Sequence, residues 1–326
     1  MSRPFELSRT FVEALRTAAP AATVERDAAL ARLTTLRVGG TADLLASVTS
    51  ATDTVTVVRL ARANGVPVTV LGGGSNVVVA DAGIRGLTVR VHGGEVRLDG
   101  PESARADAGV TINGLVRWLA GRGLAGLEAW AGTPGTVGGA ICGNAHFQGR
   151  LIGEHVRSVR VLQPSGEVID LPVEAMAFGY DRSRIQHSGE VVLSVLFAVT
   201  PGGSPEALRA EARTSLAFRK RTQPLHQSSA GCIFQNPGPE DPVPEGVPRS
   251  AGALIDRAGL KGAQEGGAAV SALHANFIVV APGSRAADVR ALVDRCRTAV
   301  AHASGVHLHE EIVYLGQWDH SRERER

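Results

Sequence analysis

Val70-Leu71-Gly72-Gly73-Gly74-Ser75-Asn76-Val77-Val78-Val79 constrains this chain more than any other stretch. An apolar, β-branched run enters three glycines and a Ser-Asn pair, and a second such run leaves them. Glycine accepts positive φ and carries no Cβ, so backbone here can turn sharply and approach a ligand. Successive amides in such a turn can form a concave nest for phosphate. In a Rossmann unit or a P-loop the glycines open a helix. Here they open Val77-Val78-Val79, which reads as a strand. The letters exclude both signatures as well: Gly72-x-Gly74 lacks a third glycine at Val77, and no Gly-Lys-Ser/Thr follows. Taken alone, the stretch fits a phosphate cradle or an ordinary glycine-rich hairpin.

A chain of 326 residues is long enough for two domains, or for one large domain with an appendage. At 44% hydrophobic and 20% charged it has the composition of a soluble globular protein with a substantial core. Its formal charge of +2 and its 4% aromatic content give neither an electrostatic footprint for nucleic acid or membrane nor a base-stacking surface. Cys142, Cys232 and Cys296 are widely spaced, which fits a reducing compartment and neither a disulfide framework nor a zinc site. Met1-Ser2-Arg3-Pro4-Phe5-Glu6 lacks the apolar core of a signal peptide, and no run approaches the ~20 apolar residues of a membrane span. A cytoplasmic location is expected.

Along the chain, an alanine-rich helical pattern covers Phe11 to Arg32, and Ala42 to Ala46 is strand-like. Ala51 to Asn64 reads as an amphipathic helix with Thr54, Val57, Val58 and Ala61 on one face, ended by Gly65. Val68 to Leu71 is the strand that delivers the glycine turn. Leu87 to Val91 and Glu95 to Leu98 are short β-prone pieces, and Thr111 to Ala120 is a helix. A second glycine-rich block, Ala131 to Ala145, supplies amides and small hydroxyls without bulk. Two such blocks suggest a long, diphosphate-bearing ligand, with two closely crossing loops as the alternative. Val156 to Asp170 reads as a hairpin around Pro164-Ser165-Gly166, and Glu190 to Val199 as a strand. Pro201-Gly202-Gly203-Ser204-Pro205 is the linker candidate, because a helical pattern from Glu206 to Arg219 starts afresh after it. Helices are expected at Ala251–Ala258 and Ala286–Ser304, with strands at Ala275–Val280 and Ile312–Leu315. The charged tail, 319–326, reads as solvated.

Four motifs in one order carry a resemblance. They are Leu71-Gly72-Gly73-Gly74-Ser75-Asn76, Gly132-Thr133-Pro134-Gly135-Thr136-Val137-Gly138-Gly139, Ser229-Ala230-Gly231-Cys232-Ile233-Phe234-Gln235-Asn236-Pro237 and Leu308-His309-Glu310-Glu311-Ile312. Their order and spacing, from about Thr35 to Gly316, resemble UDP-N-acetylenolpyruvoylglucosamine reductases (UDP-N-acetylmuramate dehydrogenases), flavoenzymes of peptidoglycan precursor synthesis. The resemblance implies an α+β protein. An FAD-binding domain of the vanillyl-alcohol-oxidase/PCMH type would cover 1–202, in subdomains of about 1–80 and 81–202. A C-terminal α+β substrate-binding domain would cover 203–318. It also implies FAD as cofactor, NADPH as reducing cosubstrate, a UDP-sugar substrate and a monomer. The short region between Val199 and Lys220 is similar to the family's compact type, without the extra tyrosine-bearing loop.

Site residues follow from the same resemblance. Arg37, Leu71, Gly72, Gly73, Gly74, Ser75, Asn76, Gly132, Thr133, Pro134, Gly135, Thr136, Gly138, Gly139 and Asn144 are implied to hold the cofactor. Tyr180, Lys220, Gln235 and Asn236 are implied to hold the substrate. Reduction of an enolpyruvyl double bond needs a hydride, stabilisation of the transient negative charge, and a proton for the neighbouring carbon. The family's serine donor is matched here by Cys232. A free thiol, pKa ~8.5, is mostly protonated at neutral pH and can still donate. Cys232 as a small buried hydrophobe is the plainer reading. Glu311 matches the family's catalytic glutamate, and strand alternation would turn its neighbour Glu310 the other way. The family's Tyr-Arg-x-Ser appears as Tyr180-Asp181-Arg182-Ser183, with the arginine displaced by one place. In an extended segment that shift reverses the side chain: either the local backbone absorbs it and Arg182 acts, or another cation does the work, and Arg182 is the catalytic arginine expected here. His274 and Asn276 also match family positions; a structural role is expected for the histidine. Arg219 and Arg221 fit either a diphosphate contact or a solvated helix end.

Two other classes remain: an FAD-dependent sugar or alcohol oxidase of the same fold, and a non-catalytic flavin or nucleotide-binding module. Oxygen consumption with a sugar would mark the first, and a bound ligand without turnover the second.

Overall fold

The computed structural model describes residues 7–318. The first six residues and the charged tail, both read above, lie outside that range. The chain divides into two compact units, each assembled from separate stretches. The first comprises residues to Arg26, Leu44–Gly73 and Gly86–Arg219; the second comprises Asp27–Asp43, Gly74–Arg85 and Lys220 onward.

The N-terminal stretch differs from the expected single helix. Helix α1 spans Arg9–Ala18, strand β1 spans Thr23–Ala29, and a 3-10 turn covers Leu30–Leu33. Pro20 is the cause, since the residue before a proline is pushed out of the α region. Ala19 takes φ −132° and ψ 72° accordingly, and β-branched Thr23 and Val24 continue as strand. Strands β1, β2 (Thr41–Val48) and β5 (Ile84–Val91) each run from one unit into the other.

In the first unit, Ser50 caps helix α2 (Ala51–Ala63), whose Thr54, Val57, Val58 and Ala61 are the buried face. Strand β3 (Val68–Leu71) pairs in parallel with β5, Val68 opposite Leu87 and Leu71 opposite Arg90. Strands β6 (Val96–Leu98), β7 (Ser103–Asp107), β10 (Val156–Leu162), β11 (Val168–Pro172) and β12 (Val191–Ala198) form an antiparallel sheet in the order β11-β10-β12-β7-β6. A short hairpin lies between them in sequence, β8 (His146–Phe147) with β9 (Arg150–Leu151). Helix α3 (Ile112–Ala120) buries Leu115, Val116 and Leu119, and Thr111 caps it by accepting from Gly114 N at 3.0 Å. Helices α4 (Val137–Cys142) and α5 (Ile185–Ser188) are short, whereas α6 runs Pro205–Thr222. Trp130, Phe197 and Leu115 are among the fully buried side chains of this core.

The segment expected as a linker is hydrogen-bonded at both of its ends. Thr200 exchanges backbone hydrogen bonds with Ala125, and Gly203 N donates to Gly123 O at 2.9 Å. Pro201–Pro205 is thereby fixed to the first unit, and α6 stays with it as far as Arg219. The division by compactness therefore differs from the expected cut at 202/203: it falls inside α6, and two earlier stretches join the second unit.

The second unit contains β4 (Val77–Val79), parallel to β17 (Val313–Leu315). An antiparallel sheet orders β13 (Ser228–Cys232), β16 (Phe277–Val280), β15 (Ala268–Val270) and β14 (Gln264–Glu265). Helices α7 (Ala251–Arg257) and α8 (Ala286–Ser304) pack against each other, and Leu254, Ile255, Val289 and Val293 belong to one core. Asp81 caps α8, accepting from Ala286 N at 2.8 Å and Ala287 N at 3.0 Å, the placement that a helix N-terminus favours for a carboxylate.

Candidate active site

The first unit brings the two glycine-rich blocks together. A Cβ on Gly73 would stand 2.6 Å from Gly135 Cα, and one on Gly72 would stand 2.4 Å from Thr136 Oγ1. Only glycine permits this approach. The crossing-loop reading of these blocks is therefore correct as geometry, and it leaves the cradle reading intact. Thr136 Oγ1 is buried there without a hydrogen-bond partner among the described residues, and an orphaned hydroxyl at such a crossing suits a polar ligand atom. Not every backbone group of the block is available, because Val137 N and Gly138 N donate to Val110 O and Ala108 O, each at 2.8 Å.

Two side chains hold the second block. Asn113 Oδ1 accepts from Gly132 N at 2.6 Å, and its Nδ2 donates to Thr133 O at 3.3 Å. Arg219 Nη2 donates to Thr133 Oγ1 at 2.8 Å, with the guanidinium 3.7 Å from the centroid of the Phe147 ring. Arg219 is 6% exposed, so the solvated-helix-end reading fails for it; burial needs the aromatic face and the hydroxyl that it finds. Asn113 gave no signal in the sequence beyond its place in α3. Asn144 is fully buried, and both ends of its amide are committed: Nδ2 to Gly179 O at 2.7 Å, Oδ1 to Gly153 N at 2.9 Å. Its side chain ties loops together. Leu71 is buried, and Pro134 and Gly139 are exposed.

In the same unit Tyr180 is exposed, Asp181 is buried and Arg182 is exposed. Asp181 Oδ1 lies 2.8 Å from His146 Nδ1, and Asp181 has φ +50°. The buried position after Tyr180 holds an acid, and the guanidinium of exposed Arg182 comes within 3.4 Å of where a Cβ on Gly179 would stand.

The second unit orders the other half of the candidate residues. Gly74 takes φ +62°, and a Cβ on it would stand 2.2 Å from Leu33 O. Its carbonyl accepts from Thr35 N at 3.0 Å. Arg37 is exposed and also left-handed, at φ +63°. Ser75 is half-buried. Asn76 Nδ2 donates to Glu311 O at 2.9 Å, and Val313 N donates to Asn76 O at 3.0 Å. The glycine stretch is thus clasped to the Glu311 segment, and the side chain of Asn76 serves that clasp.

Cys232 closes β13. Ser229 faces Val279 and Cys232 faces Phe277, so one extra residue is inserted between the two pairs. Gly231, at φ +82°, completes this bulge, a device that re-aims the next side chain. The segment after Cys232 pairs with the Glu311 segment. Glu311 N donates to Ile233 O, and Gln235 N donates to His309 O, both at 2.8 Å. Glu310 is paired with Arg297. Cys232 and Glu311 are both half-buried. Asn236 is exposed, its Oδ1 accepting from Ala251 N at 3.1 Å, and Lys220 is exposed near the end of α6. His274 has the expected structural role: Nδ1 accepts from Asn276 N at 3.2 Å, the ring packs against Phe277, and burial holds its pKa below the ordinary imidazole value.

Comparison with known proteins divides the chain by sequence, with Gly74–Asn76 of the second unit falling in the first match. The family model of the FAD binding domain matches residues 42–172, and that of the UDP-N-acetylenolpyruvoylglucosamine reductase C-terminal domain matches residues 223–315. A UDP-N-acetylenolpyruvoylglucosamine reductase from a Synechococcus species is 40% identical over 295 residues, covering 88% of this chain and 91% of that protein. The chain belongs to the UDP-N-acetylenolpyruvoylglucosamine reductase family. A reductase of that name from Heliobacterium modesticaldum is 38% identical over 289 residues, covering 88% of this chain and 89% of its own length. The crystal structure of the Thermus caldophilus reductase covers 90% of this chain and 99% of its own, at 33% identity and a TM-score of 0.75. Membership of the reductase family accounts for the α+β architecture and for FAD as the cofactor.

Proposed function

We propose that this chain is the NADPH-dependent flavoenzyme that reduces the enolpyruvyl group of UDP-N-acetylglucosamine enolpyruvate to UDP-N-acetylmuramate. Family membership over nine-tenths of the chain carries the reading. FAD, once bound and reduced by NADPH, supplies the hydride. In the first unit Gly72, Gly73, Gly132, Thr133, Gly135 and Thr136 hold the cofactor through backbone and small hydroxyls, supported from below by Asn113 and Arg219. In the second, Cys232 holds the proton on Sγ and gives it to the carbon next to the one that receives the hydride. Solvent then reprotonates the thiolate, so each turnover consumes one hydride and one proton. Glu311 activates the substrate, and Tyr180, Lys220, Gln235 and Asn236 bind it. The bulge before Cys232 and the clasp between its following residues and Glu311 support a shared task for that pair.

The enzyme is read as a cytoplasmic monomer with no nucleic-acid or membrane partner, in keeping with its near-neutral charge. Among the described residues no helix is long and apolar enough to cross a membrane. The test is the colour of the purified protein. A yellow preparation, bleached by NADPH without oxygen and restored by the enolpyruvyl nucleotide, supports the reading. Oxygen consumption with a simple sugar and no recovery with the nucleotide would favour the oxidase.

A further inference from the structure

The turn after Tyr180 holds a feature that the assigned chemistry does not use. Gly179 N donates to Arg182 O at 2.9 Å and Arg182 N donates to Gly179 O at 3.2 Å, so Tyr180 and Asp181 are the corner residues of a tight hairpin. Aspartate tolerates the left-handed backbone this corner requires. The hairpin is fixed on three sides. Ser183 Oγ donates to Cys142 O at 2.7 Å, Gln186 Nε2 donates to Asp181 O at 2.9 Å, and Asn144 Nδ2 holds Gly179 O. The Asp181 side chain, 7% exposed, is directed at the His146 ring, and that ring packs against Tyr180 with centroids 4.7 Å apart.

This is more fixation than a surface turn needs. A carboxylate 2.8 Å from Nδ1 fixes the imidazole tautomer, placing the hydrogen on Nδ1, and stabilises positive charge on the ring. His146 follows α4, whose preceding loop is the cofactor cradle, and Tyr180 is a substrate candidate. A fixed imidazole backed by a buried acid therefore packs on a substrate candidate and follows the cradle in sequence, within one unit, while Arg182 is exposed.

We propose that His146, oriented by Asp181, is a catalytic residue that supplies positive charge to the carboxylate end of the substrate as negative charge builds on the enolpyruvyl group. Asp181 is its positioning residue. The proposal rests on the reductase reading above. The test follows the two half-reactions separately by stopped flow in the FAD-loaded enzyme, in His146→Gln and His146→Ala. Both variants should keep the flavin spectrum and the rate of reduction by NADPH. Reoxidation by the enolpyruvyl nucleotide should slow by about 100-fold, the scale for losing one charge-stabilising group. The double variant His146→Ala/Asp181→Arg, which returns a fixed cation to the corner, should recover part of that loss. Wild-type reoxidation rates in both single variants would overturn the proposal. So would an equal loss in both half-reactions, which marks a merely structural role, or a loss confined to Arg182→Ala. Failure of the reductase reading shows itself differently, as wild-type protein that the nucleotide does not reoxidise.

Discussion

The carboxamide of Asn276 grips the backbone of Phe234 at both ends: Oδ1 accepts from Phe234 N at 3.0 Å, and Nδ2 donates to Phe234 O at 2.8 Å. Asn276 is 2% exposed, and its own carbonyl accepts from Ile233 N at 2.9 Å. The two residues that follow Cys232 are thus fixed by one buried side chain and its backbone. Asn276→Ala leaves two buried backbone groups without partners, each costing about 1–3 kcal/mol. The expected loss of stability is on the order of 2–5 kcal/mol, read as a lower urea midpoint. A midpoint equal to wild type would show that the grip contributes nothing.

The loop crossing in the first unit makes a sharper demand. Gly73→Ala puts a methyl group 2.6 Å from Gly135 Cα, backbone against backbone, where no rotamer change relieves it. The loops must part, and the variant is expected to purify with little or no FAD while keeping its helix signal by circular dichroism. Full flavin content in Gly73→Ala would remove the crossing from the cofactor site.

Stability should respond to pH through histidines in both units, His155 and His274 the more buried of them. Burial holds His155 and His274 below the ordinary imidazole value. The unfolded chain, with histidine pKa near ~6.5, then binds more protons than the folded chain just below that value. Stability therefore falls as pH drops through about 6.5 and is fully present above it. Urea melts between about pH 7.5 and 5.5 check the sign, and a midpoint that rises on acidification through that window would contradict it.

Much of this was legible in the sequence because the signals were local. Thr111 before an apolar face and the Gly65 stop each describe a few neighbouring residues, and α3 and α2 appear where those signals put them. The helix expected from Phe11 to Arg32 failed at Pro20 because alanine content outweighed one stereochemical rule. The division by compactness falls inside α6 and not at Pro201, because Gly123 and Ala125, far away in sequence, pin that segment to the first unit. Arg219 stays open in the sequence between a diphosphate contact and a solvated helix end, since nothing near it announces Phe147 or Thr133, residues that only folding brings to it. Asp181 was read as a displaced arginine's neighbour, and its pairing with His146 across 35 residues is a property of the hairpin.

Serine in place of Cys232 tests the donor by chemistry. A hydroxyl at this position can also donate a proton, so Cys232→Ser is expected to retain turnover of the enolpyruvyl nucleotide. Loss of turnover in Cys232→Ser, with normal FAD content, would show that the thiol does something a hydroxyl does not.

The central claim is that the proton comes from Cys232, and Cys232→Ala followed by rapid mixing tests it most directly. The FAD-loaded variant should be bleached by NADPH at the wild-type rate. On addition of the enolpyruvyl nucleotide its flavin should then stay reduced, slower to recover by at least about 100-fold, the lower end for loss of a general acid. Recovery of the yellow colour at the wild-type rate would contradict the account.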